Sequence, residues 1–167
     1  VIEFRPARWG DVNAIARRMR AIDAEECRIA GFTPKGALVA GYRQSDLLWT
    51  GTVDQRPEAM FGVVCTSLLT GEGRPWMLGT ETARANARAF LTLAPAFLAQ
   101  IEELCPRLEN YVHRDNAASI RWLRRLGFVV EPELLHIGTA PVLRFWRAPP
   151  PCAGPQSSLP SEAPSEP

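Results

Sequence analysis

Hydrophobic and polar residues alternate along this chain with two periods, close to two where a strand is expected and between three and four where a helix is. In residues 1–7, Ile2 and Phe4 alternate with Glu3 and Arg5, and Pro6 closes a first strand. Asp11 is placed to cap a helix in which Val12, Ile15, Ala16, Met19 and Ile22 step by three and four, with Gly31 as its stop. The polar run Asp23, Glu25, Glu26 and Arg28 predicts a break in that helix near Ala24. Thr33 and Pro34 then make an N-cap with proline in the first turn, opening a short helix to about Gln44. Residues 47–53 and 59–67 are rich in strand formers and flank Asp54, Gln55, Arg56 and Pro57, which have turn chemistry, so they read as a hairpin. A second turn at 70–73 leads to a strand over 74–80 with Trp76 and Leu78 on one face.

From residue 81 to 104 the period becomes helical, with Phe90, Leu91, Ala94, Phe97, Leu98, Ile101 and Leu104 in phase. Pro95 removes a backbone donor and crowds the preceding turn, which predicts a kink, or two helices meeting, near residues 92–95. The stretch 107–128 is the most regular. Leu108, Asn110 and Val112 alternate with Glu109, Tyr111 and His113 as in a strand, and Asp115 or Asn116 supplies the cap of a helix that Gly127 ends. On that helix Ile120, Trp122, Leu123 and Leu126 fall on one arc, while Arg121, Arg124 and Arg125 share the other side. Two more strands, over about 128–137 and 142–147, are separated by Gly138, Thr139, Ala140 and Pro141.

By periodicity alone, this is an α/β domain of no particular kind. Asn116 followed eleven residues later by Gly127 and Phe128, directly after a strand, resembles the C-terminal half of the GNAT N-acetyltransferase fold. More closely, the run NYV at 110–112, then Asn116, IRWL at 120–123 and Gly127 resembles a podophage group of GNAT-like proteins that includes the internal virion protein A family. The resemblance covers most of residues 1–148 and is strongest over 74–128. It implies an α/β fold with a mixed central sheet of six or seven strands and helices on both faces.

Composition adds limits. A chain of 167 residues with 46% hydrophobic and 22% charged residues suits one domain with a sizeable core. The net charge of +1 divides into +3 for residues 1–148 and −2 for the rest, which holds Glu162 and Glu166, so nucleic-acid binding is not indicated. Arg121, Arg124 and Arg125 fit a solvated face first; an acidic partner or packaged nucleic acid is the sharper alternative. Cys27, Cys65, Cys105 and Cys152 show no metal-binding spacing, and Cys65 reads as a small core residue in a reducing compartment. Neither a signal-peptide pattern nor a membrane-spanning apolar run is visible, so synthesis in a reducing cytoplasm is expected, which the phage resemblance makes the host cytoplasm. Residues 149–167 include seven prolines and Leu159 as the one large aliphatic residue, which predicts a tail that is disordered unless a partner binds it.

The resemblance also says where acetyl transfer would take place. A splayed strand, here 74–80, would present its backbone to the pantetheine arm of acetyl-CoA as a sheet edge does to a peptide, beside the neighbouring strand 107–113. The anion loop would lie between Thr80 and Phe90, with Arg84, Ala87 and Ala89 laid onto a Q/R-x-x-G-x-G/A pattern whose central glycine is replaced by alanine. Leu78, Gly79, Thr80, Arg84, Ala87 and Asn116 are therefore the cofactor-binding candidates if CoA binds at all. The tyrosine that would protonate the leaving thiolate is replaced by Leu123, with Tyr111 as a substitute. Glu81, at the mouth of the proposed cleft, or His113 could act as base toward an amine, though His113 beside Arg114 also reads as a surface residue before the helix. These departures lead to the expectation of a phage GNAT-fold protein with a degenerate site. It would act through phage structural proteins, or as a homo-oligomer, in the virion or its assembly; the alternative is an active acetyl-CoA-dependent N-acetyltransferase.

Overall fold

The computed structural model describes residues 1–149. The Pro-rich tail expected over 149–167 lies outside the described residues from position 150 onward. In chain order the elements are β1 (Ile2–Pro6), α1 (Trp9–Ala16), α2 (Ala21–Ile29), α3 (Pro34–Gln44), β2 (Leu47–Val53), β3 (Arg56–Ser67) and β4 (Glu72–Gly79). They continue with α4 (Glu81–Ala85), α5 (Ala87–Leu104), β5 (Arg107–His113), α6 (Ala117–Arg125), β6 (Val129–Ile137) and β7 (Ala140–Arg147). The strands form one mixed sheet in the order β1-β2-β3-β4-β5-β7-β6. All neighbours are antiparallel except β4 and β5, which run parallel.

One face of the sheet packs Met60, Trp76 and Leu78 against Val12 and Ile15 of α1 and Leu38 of α3. The other packs Trp49, Val63, Leu108, Val112 and Phe145 against Ile101 of α5 and Ile120 of α6. Helices on both faces of a seven-stranded mixed sheet are what the resemblance implied. The β2–β3 turn needs only Asp54 and Gln55, both at positive φ (48° and 61°), so Arg56 and Pro57 belong to the strand.

Four local expectations are corrected. The break in the first helical segment falls between α1 and α2, at residues 17–20, not near Ala24. Asp11 is not the cap but the third helical residue, where its carboxylate accepts the Arg8 N–H at 2.9 Å and pairs with Arg5 at 2.8 Å. In the second helical region the chain breaks at Asn86, and α5 runs unbroken through Pro95, whose ring is on the exposed side. Finally, Cys65 is not a free core residue. It is joined to Cys105, with Cα atoms 6.5 Å apart, across the site of Gly73, where an added Cβ would meet the Cys105 Cβ at 2.7 Å.

Candidate functional site

Between β4 and β5 the pairing lasts only from Glu72–Arg107 to Gly73–Leu108, after which the strands part. The gap opens into a cleft of about 450 Å³ that passes through the sheet, walled by α2 and α3 on one face and by α5 and α6 on the other. Thr80 bonds to Glu58 on β3, so residues 76 and 78 also face β3, while Pro75, Met77 and Gly79 turn their backbone toward the gap.

Unpaired strand edges invite pairing with another chain, and here most of the edge is taken by the chain's own groups. The Gly79 N–H donates to Asp23 Oδ2 at 3.0 Å, and the Gly79 carbonyl accepts the Arg20 N–H at 3.0 Å. Across the gap the His113 N–H donates to Glu26 Oε1 at 2.8 Å. Asn110 bridges the parting strands: its Nδ2 donates to the Pro75 carbonyl at 2.9 Å, and its Oδ1 accepts the Tyr111 N–H at 2.9 Å. Among the described residues, Met77 keeps both its N–H and its C=O without a hydrogen-bond partner on the β4 edge.

The caps come from one face of α2 and the turn before it. Asp23 is 2% exposed and paired with Arg20, whose guanidinium also reaches Ser119 Oγ on α6 at 3.2 Å. Glu26 Oε1 accepts a second hydrogen bond from Asn116 Nδ2 at 3.0 Å. Its Oε2 has no partner among the described residues, and no buried side-chain polar atom there lacks one, so Oε2 is reachable from the cleft it lines. Burial pushes the Glu26 carboxyl above the ordinary carboxylate range, opposed by the bonds from Asn116 and His113. The adjacent Cys27 thiol is pushed up to about 12, first by burial and then by Asp23 and Glu26, which disfavours its thiolate near pH 7.

The residues marked from sequence are dispersed around this cleft. Leu78, Gly79, Thr80, Arg84 and Tyr111 line it; Glu81 does not, and forms an ion pair with Arg84 at 2.5 Å on the exposed side of α4. The Thr80 hydroxyl donates to the buried Glu58 and accepts the Ala83 N–H at 3.4 Å, capping α4. His113 contributes its backbone N–H to Glu26, while its ring Nδ1 accepts the Asp115 N–H at 3.1 Å. Asn116 is the N-cap of α6, accepting the Ser119 N–H at 3.3 Å, and Leu123 lines the cleft from the same helix. Ala87 begins α5.

The segment expected to bend around phosphate is instead wound up as α4 and the first turn of α5. Several of its N–H groups are spent locally: Arg84 on Thr80 at 3.2 Å, Asn86 on Thr82 at 3.1 Å, and Ala89 and Phe90 on Asn86 at 3.1 and 3.3 Å, while those of Ala87 and Arg88 at the start of α5 make no such bond. Above it, the Phe90 and Trp122 rings approach to 6.3 Å, so α5 and α6 touch beside the gap. Sequence reading missed Arg20, Asp23 and Glu26 as site residues. Their i, i+3, i+6 spacing puts them along one helix face, which was the available signal.

Among the described residues no helix is long and apolar enough to cross a membrane, and no cluster of metal-ligating side chains occurs. No family model and no curated protein matches the sequence. Solved structures do match. Ard1 from Thermoplasma volcanium aligns with a TM-score of 0.65 and 18% identity, covering 87% of this chain and 96% of the other. The ribosomal-protein-alanine N-acetyltransferase from Brucella melitensis aligns at 0.62 and 14%, covering 87% and 99%. A GNAT superfamily phosphinothricin acetyltransferase from Sinorhizobium meliloti, in complex with AcCoA, aligns at 0.63 and 12%, covering 87% of each chain. At such identities the likeness is one of architecture, and the architecture, with β4 and β5 splayed over helices on both faces, is the GNAT fold.

Proposed function

We propose that this chain is a bacteriophage GNAT-fold protein that acts in the particle or its assembly as an interaction scaffold, with its acetyl-transfer site degenerate. The observation that carries the reading is the winding of the expected anion loop into the end of α4 and the first turn of α5, which spends the N–H groups of Arg84, Asn86, Ala89 and Phe90 on local bonds. Leu123 in place of a phenol and the capping of Gly79 by Asp23 support it. The phage origin rests on the resemblance of residues 74–128, and the partners that follow from it are phage structural proteins, met first in the host cytoplasm and then in the virion. The test is a thermal melt with acetyl-CoA, because a ligand at about 100 times its Kd adds roughly 2.7 kcal/mol. No shift at millimolar cofactor is expected. Deleting residues 149–167 should lower incorporation into particles while leaving the domain's melting unchanged; full incorporation would remove the tail from this role.

A second reading, an acetyl-CoA-dependent N-acetyltransferase acting on an amine of a small molecule or protein, is favoured by one observation. Glu26 offers a reachable oxygen in the cleft, and burial raises its pKa toward the working range of a general base. There the amine nitrogen would attack the acetyl carbon, Glu26 would take the amine proton, and the C–S bond would break to release CoA. Tyr111, one of the hydroxyl side chains lining the cleft, would protonate the thiolate. A melting shift with acetyl-CoA together with thiol release on adding an amine would establish this reading and overturn the first.

A further inference from the structure

A groove of about 310 Å³ lies between α5 and α6. Leu91, Leu98 and Leu126 give it an apolar lining, and the ion pair of Glu102 with Arg147 lies at the end where α5 finishes. Helical spacing extends the groove toward the start of α5. Arg88, Leu91, Pro95 and Leu98 follow one another at steps of three and four, so they share one face. On α6, Arg121 precedes by one turn Arg125, which lines the groove. Arg88, Arg121, Arg124 and Arg125 are exposed and form no ion pair among the described residues. The charged groups left without a partner here are therefore cations, since Glu102 is taken by Arg147.

The strand β7 ends at Arg147, itself a groove residue, so the chain leaves the described residues beside the groove. Residues 150–167 hold Glu162 and Glu166, neither lysine nor arginine, and Leu159 as the one large aliphatic residue. Leu159 is twelve residues beyond Arg147. That gives a reach of up to about 40 Å, against the roughly 21 Å that α5 rises between Arg88 and Glu102. From Leu159 to Glu162 the chain spans at most about 10 Å, and Leu126 to Arg121 is about 7.5 Å along α6. We infer that residues 150–167 dock in the groove of their own chain, with Leu159 on Leu91, Leu98 and Leu126 and with Glu162 and Glu166 on the arginines of α5 and α6. Complementary charge selects the segment, and attachment beside the groove makes the encounter intramolecular. Exposed ion pairs are individually weak and ordering the segment opposes them, so docked and released forms are comparably populated. A one-to-one ratio moves Tm by only about 1–2 °C, in line with the small melting effect expected of deleting the tail. The contact requires neither cofactor nor phage partner, so it stands whether the chain is a scaffold or an enzyme.

The experiment uses the full chain carrying Cys152→Ser and Ser161→Cys, with a nitroxide label on the introduced thiol. Cys27 is buried and Cys65 is bonded to Cys105, so the label has one place to go. Amide signals of residues 88–98 and 121–126 should lose about threefold more intensity than those of 68–72, which lie at the same end of the sheet as Arg147. Raising salt from about 10 mM to about 1 M shortens the screening length from about 30 Å to about 3 Å and should remove most of that difference. Glu162→Gln with Glu166→Gln should remove it at low salt, and Leu159→Ser should reduce it by about half or more. These changes all lie beyond β7 and outside the core, so the domain's folding is not at stake. Equal broadening of 68–72 and of the groove, or a pattern indifferent to salt and to both glutamates, would overturn the inference. So would labelled chains that broaden unlabelled, isotope-enriched chains as strongly as they broaden themselves, because the occupant would then be a second copy's tail.

Discussion

Breaking the bond between Cys65 and Cys105 should lower the melting temperature by a calculable amount. The two residues are 40 apart in sequence, and cross-linking them removes chain entropy from the unfolded state. The loop-length relation gives about 4 kcal/mol at 25 °C for such a loop. In a domain of this size 1 kcal/mol corresponds to about 2–4 °C, so reduction is expected to lower Tm by about 8–16 °C. Position adds a local effect, because the bridge spans the place where Gly73 of β4 meets β5, the short paired segment before the strands part. Amide exchange at residues 73 and 108 should therefore quicken more than exchange in β2. The measurements are calorimetric melts with and without a phosphine reductant, a thiol titration that rises by two on reduction, and the Cys65→Ala/Cys105→Ala variant melted under both conditions. A Tm that does not move on reduction while the thiol count rises would refute the entropy argument. An unchanged thiol count would refute the pairing itself.

Glu26 has a raised folded-state pKa, so the folded chain holds its proton to higher pH than the unfolded chain does. Its contribution to stability is therefore greatest at acid pH and is lost as pH rises from the unfolded toward the folded pKa. Glu26→Gln keeps an acceptor for His113 and Asn116, with Asp23 and Arg20 as the charged neighbours. It should gain in Tm relative to the parent between about pH 4 and pH 7; a difference that stays flat or shrinks with pH would contradict the shift. On the α1 side, Arg18 donates to both oxygens of Glu58, whose side chain is 1% exposed, and Arg56 approaches the same carboxylate only to 3.6 Å. Arg18→Met should cost about 3–5 kcal/mol by stranding that charge. Adding Glu58→Gln should recover part of the loss in urea melts, and a single variant within about 1 kcal/mol of the parent would show that Arg56 and Thr80 suffice.

Most elements of this fold were legible as periods and punctuation. Alternation marked β5 to the residue, the Asn116 cap and the positive-φ Gly127 bounded α6, and Thr33 capped α3 through the Gly36 N–H at 3.0 Å. Boundaries failed where a local signal was overruled by packing. Asp11 looks like a cap in isolation, but its pairing with Arg5 and Thr50 draws it one turn inside the helix. Pro95 looks like a breaker, yet α5 continues, with Phe90 packed before the proline and Phe97, Leu98 and Ile101 after it.

What the sequence determined by itself was therefore local: which segments are helix or strand, that a mixed sheet collects them, and that the glycine and phenol expected of an acetyl-transfer site are missing. Tertiary structure alone decided which distant groups meet at the parting of β4 and β5. Asp23 and Glu26 lie about 56 and 87 residues from the N–H groups they cap, and Cys65 lies 40 from Cys105. Such pairings follow from how the sheet is ordered and where α2 lands on it, and no periodicity within a segment encodes the partner's position.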